Sequence, residues 1–255
     1  MKRLILLAIS FILFTCESEN TNGGTLRNIT VDFEFIHTWD GTVIDNTNLT
    51  TTTVTNENGE TMSMSRLRYL LSRFQLLNSN GDIYGFNGYK FTDLSDITSY
   101  NFSTNNFIIP SGTYTLKFIW GFNEADNITG AYPDLNSASW NWPDMLGGGY
   151  HFLQLDGMYN IDTTPSPYNF HNGTARVSTN PNVFEQNFVE IEFTEDMVLS
   201  GNATIKIEMN IAELFKNPNA WDLNIYDTPL MPNYDAQKMM QQNVESVFSI
   251  DEIFQ

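Results

Sequence analysis

Three histidines carry most of the chemistry this chain can offer. They are His37, His151 and His171. Imidazole is the commonest metal-binding side chain, and it suits copper and zinc. Two of the three fall in one aromatic, glycine-rich stretch. It runs Trp140-Asn-Trp142-Pro-Asp-Met-Leu-Gly-Gly-Gly-Tyr-His151 and continues to Phe170-His171-Asn-Gly173. The chain holds a single cysteine, Cys16, so no intrachain disulfide can form and no thiolate cluster can hold zinc, iron–sulfur or blue copper. Any metal must be bound by nitrogen, oxygen or thioether sulfur. His171 is the leading candidate, with Phe170 beside it to bury the ring and Gly173 to let the backbone approach closely. His37 follows, because it continues the inward parity of the first strand. His151 is third, since it has the opposite parity to Tyr150 and Phe152. Trp140 and Trp142 stand as candidate copper-adjacent aromatics.

Other chemistries lack their signatures. There is no Gly-x-Ser-x-Gly elbow, His-Glu-x-x-His helix or phosphate-cradling glycine loop, so the chain reads as a non-enzyme. Two oxygen-rich stretches, Asn78-Ser-Asn-Gly-Asp82 and Asn123-Glu-Ala-Asp-Asn127, are the candidates for calcium. Neither has EF-hand spacing, and ordinary turns explain both. Met62 and Met64 share a strand face and offer thioether, but they read as surface residues before a strand.

The N-terminus reads as an address. Lys2 and Arg3 precede an uncharged apolar run, Leu4–Phe14, and then Thr15-Cys16. This pattern predicts a secretory signal over residues 1–15 that ends in a lipobox, with lipid carried on Cys16. Residues 16–27 read as a flexible tether, and residues 28–255 as one domain. The expected location is therefore an outer-membrane lipoprotein at the periplasmic face or cell surface, held to the bilayer through acylated Cys16. Losing residues 1–15 removes Lys2 and Arg3 but no acid, which takes the formal charge from −18 to −20. So acidic a body repels phosphate backbones, and nucleic acid is excluded as a partner.

The elements that must position the histidines are mostly strands. Ile29, Val31, Phe33 and Phe35 alternate with Thr30, Asp32 and Glu34, and Asp40-Gly41 then turns the chain. Residues 65–77 have helical propensity, but the turn Asn78–Asp82 and the aromatic run after it predict a hairpin. Strands are also predicted at 114–120, 149–156, 188–194 and 203–211, with one helical turn at 212–215. Residues 235–248 carry an apolar stripe at helical spacing, Met239, Met240, Val244, Val247 and Phe248, with Asp235 as the expected cap. The predicted fold is an all-β antiparallel sandwich or barrel with one short C-terminal helix.

Several segments, in order, resemble the MbnP-like copper-binding proteins. They are Phe35-Ile-His37-Thr-Trp-Asp-Gly41, Leu67-Arg-Tyr69-Leu-Leu-Ser72, Ile109-Pro-Ser-Gly112, Trp120-Gly121-Phe-Asn, Trp140-Asn-Trp142, Gly149-Tyr-His-Phe-Leu-Gln-Leu-Asp-Gly157, Phe170-His171-Asn-Gly173 and Gln242-Asn243. The resemblance runs from about residue 28 to 250. It implies a β-sandwich, a copper site using histidines, sometimes an oxidised tryptophan, and as partner a dihaem c-type cytochrome of the peroxidase type. The reading that follows is an envelope-anchored protein for copper capture, storage or handover. A surface module for glycan or protein binding is the alternative, in which exposed Trp140, Trp142 and Trp221 would stack on sugars.

Overall fold

The computed structural model describes residues 27–86, 88–104 and 107–255. The signal, Cys16 and nearly all of the tether lie outside the described residues. Among those described, no helix is long and apolar enough to cross a membrane.

Two sheets pack face to face. The strands that matter here are β1 (Asn28–Trp39), β2 (Thr61–Asn78), β3 (Tyr89–Asp93), β4 (Gly112–Trp120), β5 (Leu153–Tyr159), β6 (Ser166–Asn172), β7 (Val189–Glu192), β8 (Ala203–Asn210) and β9 (Phe248–Phe254). The smaller sheet runs β9-β8-β1, and the larger runs β6-β5-β2-β4-β7, with β3 also paired to β2. The alternation expected for β1 and β8 is what faces them inward. Val31, Phe33, Phe35, Ile205 and Ile207 are buried, and the residues between them are partly exposed. Leu67, Tyr69, Leu71, Leu153, Leu155, Tyr168 and Phe170 answer from the larger sheet. Rings fill the space between, with Phe35 against Tyr69 and Phe74, and Phe170 against Phe215 and Trp221.

The all-β sandwich is therefore present, with one departure from an antiparallel scheme. β1 and β8 run parallel, in register from Val31↔Ala203 to Thr38↔Asn210. Residues 65–77 are strand, because β2 pairs on both sides and its apolar residues fill the core. The helix is shorter than its apolar stripe suggested. It spans Tyr234–Val244, its cap is Asn233 accepting from the Ala236 N–H, and Asp235 lies in the first turn. Phe248 belongs instead to β9. Met62 and Met64 are core residues and not surface ones, because the β5–β2 register shifts between Asp156 and Gly157 and turns Met64, opposite Gly157, and Met62, opposite Tyr159, to the inner face.

His37 sits within this core. Its Nε2 is 2.9 Å from the Tyr69 hydroxyl, and its ring packs edge-on against Tyr69 and Tyr100. Burial pushes its pKa down to about 3. A folded-state value below the unfolded one means that the unfolded chain takes up a proton first as pH falls. The stability His37 contributes is thus whole above about pH 6.5, and it declines below that by roughly 1.4 kcal/mol per pH unit until about pH 3. Urea unfolding at pH 7.5 and pH 4.5 should show a loss of stability that is smaller in His37→Gln than in the parent by roughly 2–3 kcal/mol. Equal acid sensitivity in the two proteins would refute this assignment.

Candidate metal centre

The outer face of the larger sheet carries a second, smaller packed region. Residues on the outward parity of β2, β3, β5 and β6 meet there: Arg66, Arg68 and Leu70, Phe91, Gln154 and Asp156, and Asn169 and His171. The segment before β5 covers them. Trp140 packs edge-on against Phe91 at 4.8 Å between ring centres, and Arg68 donates to the Ala138 carbonyl.

A short bridged pair of segments holds the two tryptophans beside His151. The Trp142 N–H donates to Gly149 O and the His151 N–H to Trp140 O, both at 2.9 Å, with Asn141 and Tyr150 paired between them. His151 therefore lies 4.9 Å from the Trp142 ring and 5.5 Å from the Trp140 ring, centre to centre. Gly173 supplies the close approach expected of it, but to a tryptophan. A Cβ there would come within 2.5 Å of the Trp142 ring, so only glycine leaves that ring its place.

His151 and His171 meet with ring centres 5.4 Å apart and planes near perpendicular. Two imidazoles on one ion have ring centres roughly 5–6 Å apart, given metal–nitrogen distances of about 2.0–2.1 Å. The remaining contacts fix each ring's tautomer. His151 Nδ1 lies 3.1 Å from Trp140 O, and a carbonyl only accepts, so this nitrogen carries the proton. His171 Nε2 donates to Asp156 Oδ1 at 2.8 Å. With those two contacts made, the second nitrogen of each ring is His151 Nε2 and His171 Nδ1. Among the described residues neither has a hydrogen-bond partner, and neither is sealed from solvent. Burial, then the neighbouring His171, pushes the His151 pKa down to about 3, which keeps that ring neutral and able to ligate.

Asp156 anchors the arrangement. Burial alone would raise its pKa. The His171 ring, the Asn169 amide at 2.6 Å and the Arg66 guanidinium at 2.5 Å outweigh burial and hold the carboxyl well below its usual range. A carboxylate that accepts from the far side of an imidazole is the arrangement that orients metal-binding histidines and raises their basicity. From the core side, Gln237 of the helix donates to His171 O at 2.7 Å and accepts from the Asn172 side chain and the Gly173 N–H.

The family model for MbnP matches residues 28–236. The chain belongs to the MbnP family. Among solved structures it is similar to MbnP from Methylosinus trichosporium, with 14% identity over 76% of this chain and 80% of that chain and a TM-score of 0.49. No curated protein matches it.

In this MbnP-family chain the three predicted histidines do not form one set. His151 and His171 come together, whereas His37 faces the inter-sheet core beside Tyr69. Tyr69 and Arg68 are neighbours on β2 and point to opposite faces, so the thickness of the sheet separates His37 from the pair. Phe170 does not cover His171, because successive strand residues alternate and Phe170 packs inward on Phe215 and Trp221. Trp140, Trp142 and Trp221 are at most 1% exposed, so none of them offers a face to a sugar. The two calcium candidates close on themselves as turns, with Asn78 Oδ1 accepting from the Asn80 and Asp82 N–H groups and Asn123 Oδ1 from that of Asp126. A groove of about 400 Å³ lined by Arg73, Phe86, Tyr89, Phe122 and Tyr132 contains no histidine.

Sequence reasoning missed Asp156, Arg66, Asn169 and Gln237. Asp156 had a signal, since it has the outward parity of β5 in Gln154-Leu-Asp156 and is two residues from the position facing His171. Gln237 had none, as its role depends on how the helix docks.

Proposed function

We propose that this MbnP-family protein binds one copper ion between His151 Nε2 and His171 Nδ1. Family membership points to a copper-related role, and the donor set fits it. Two imidazole nitrogens without a protein partner suit copper, and Asp156 supplies the orienting carboxylate. The single observation that carries the reading is the meeting of these two rings, each with one nitrogen committed to a protein acceptor and the other left open. When bound, the ion would supply a redox-active centre beside Trp140 and Trp142. The chain's own residues hold the rings, keep His151 uncharged and place both tryptophans within ring contact of it.

No catalytic role is included. The function is capture, storage or handover of copper at the cell envelope. Acylated Cys16 would tether the domain to the outer membrane at its periplasmic face or the cell surface. A dihaem c-type cytochrome of the peroxidase type is the proposed partner for oxidation of Trp140 or Trp142.

The test is metal content of the purified full chain after equilibration with copper and dialysis. About one copper per chain is expected in the parent, and none is expected in His171→Ala under the same conditions. His37→Gln should keep its copper. Failure of the parent to retain copper in either oxidation state would overturn the reading, as would retention by His171→Ala.

A further inference from the structure

Two imidazoles leave a copper ion short of ligands. Among the described residues no three His, Cys, Asp or Glu side chains gather into a metal-binding group, so a further protein donor must be of another kind. Gln154 has the required position. It faces outward on β5, directly opposite His171 on β6 and two residues from Asp156. Opposed residues on one face of an antiparallel pair have Cβ atoms about 4.5–5.5 Å apart, within reach of a glutamine side chain.

Gln154 also has an unmet need. The residue is 5% exposed, and its Oε1 is sealed from solvent without a hydrogen-bond partner. Leaving a buried acceptor unsatisfied costs about 1–3 kcal/mol, so native structures rarely leave one idle. Its other cross-strand neighbour does not serve it. Arg68 directs its guanidinium to Ala138 O and Asp93. Asp156, the nearest carboxylate on the strand, is committed to His171, Asn169 and Arg66.

Resting on the copper reading of the His151–His171 pair, we propose that the Gln154 side-chain oxygen is the third protein donor to the metal. A glutamine oxygen can take the weak axial position on copper in His₂Cys sites, so an amide oxygen is an accepted copper donor, and it is harder than the sulfur ligands that select Cu(I). Gln154 therefore favours Cu(II). The position on β5 makes it a ligand that the sheet itself holds in register with His171.

The experiment uses the purified full chain and copper alone. Cu(II) affinity by chelator competition and the Cu(II) electron paramagnetic resonance spectrum are measured for the parent, Gln154→Leu and Gln154→Glu. Cu(I) affinity is measured alongside. Gln154→Leu should weaken Cu(II) binding at least tenfold and shift g∥, while Cu(I) affinity stays within about twofold. Gln154→Glu keeps an oxygen and should retain Cu(II) at parental affinity or better, which also covers the case where the leucine variant folds poorly. A parental spectrum and affinity in Gln154→Leu, in a parent that binds copper and loses it in His171→Ala, would overturn this proposal alone. A parent that binds no copper would overturn it together with the copper reading.

Discussion

Alanine at Gly157 is expected to cost this fold about 3 kcal/mol or more, because the added methyl has no room and its neighbour cannot yield. A Cβ there would lie 1.9 Å from the Ser63 carbonyl oxygen and 2.8 Å from the Tyr168 side chain. Ser63 belongs to β2, so relief requires the central strand of the larger sheet to move. The position falls where the β5–β2 register shifts, between Asp156 and Gly157. There the two backbones run closer than a side chain allows. For a chain of this size each kcal/mol moves Tm by about 2–4 °C, so a depression of roughly 6–12 °C is expected. Calorimetry of the metal-free protein measures it, and a change under about 2 °C would show that the strands can part at little cost.

Asp156→Asn should weaken copper binding about 10–100-fold while leaving a folded protein. The carboxylate accepts from three donors at once, and the His171 ring is one of them. An asparagine can present one oxygen and must turn an amide N–H₂ toward a second donor. The His171 ring then loses the acceptor that fixes its proton on Nε2, and with it the preference for a lone pair on Nδ1. Metal-free stability should fall as well, by about 1–3 kcal/mol, since buried donors lose their partner. Arg66→Gln is the control. Arg66 is 43% exposed at its side chain, and ion pairs open to water contribute about 0–1 kcal/mol. Copper affinity in Asp156→Asn equal to that of the parent, in protein shown to be folded, would refute the orienting role.

The fold was more legible than the site. Alternation in β1, β4 and β8 named their inward faces correctly, because one-sided burial writes a period of two into a strand. Period alone carries no information on strand direction, and the parallel β1–β8 pair was not foreseen. Met62 and Met64 have the opposite parity to Leu67, Tyr69 and Leu71, and the register shift beside Gly157 turns them inward, which alternation alone does not announce. At the site, the cluster of His151, His171, Trp140 and Trp142 could be read from spacing and residue type. His37 shares the inward parity of β1, but parity gives the face of a strand and not which residues meet there. The sandwich has two sides to each sheet, and the larger sheet buries residues on both. Alternation by itself puts Gln154 and Asp156 on the polar side of β5 and says nothing of what covers that side. They are buried because the segment carrying Trp140 and Trp142 folds over that face.

The parallel pairing of β1 with β8 bears on how such a chain is made. A protein synthesised or exported from its N-terminus presents β1 before β8, and among the described residues the antiparallel partners of β1 are short, at Thr42–Val43, Asn101–Phe102 and Ile108–Pro110. Its principal neighbour is not complete until residue 210 has emerged. Until then the smaller sheet is an open edge with an apolar face, the kind of intermediate that chaperones shield and that aggregates when they fail. Closure of the smaller sheet thus waits on pairings separated by more than 170 residues, from Val31↔Ala203 to Thr38↔Asn210, and such long-range contacts slow folding.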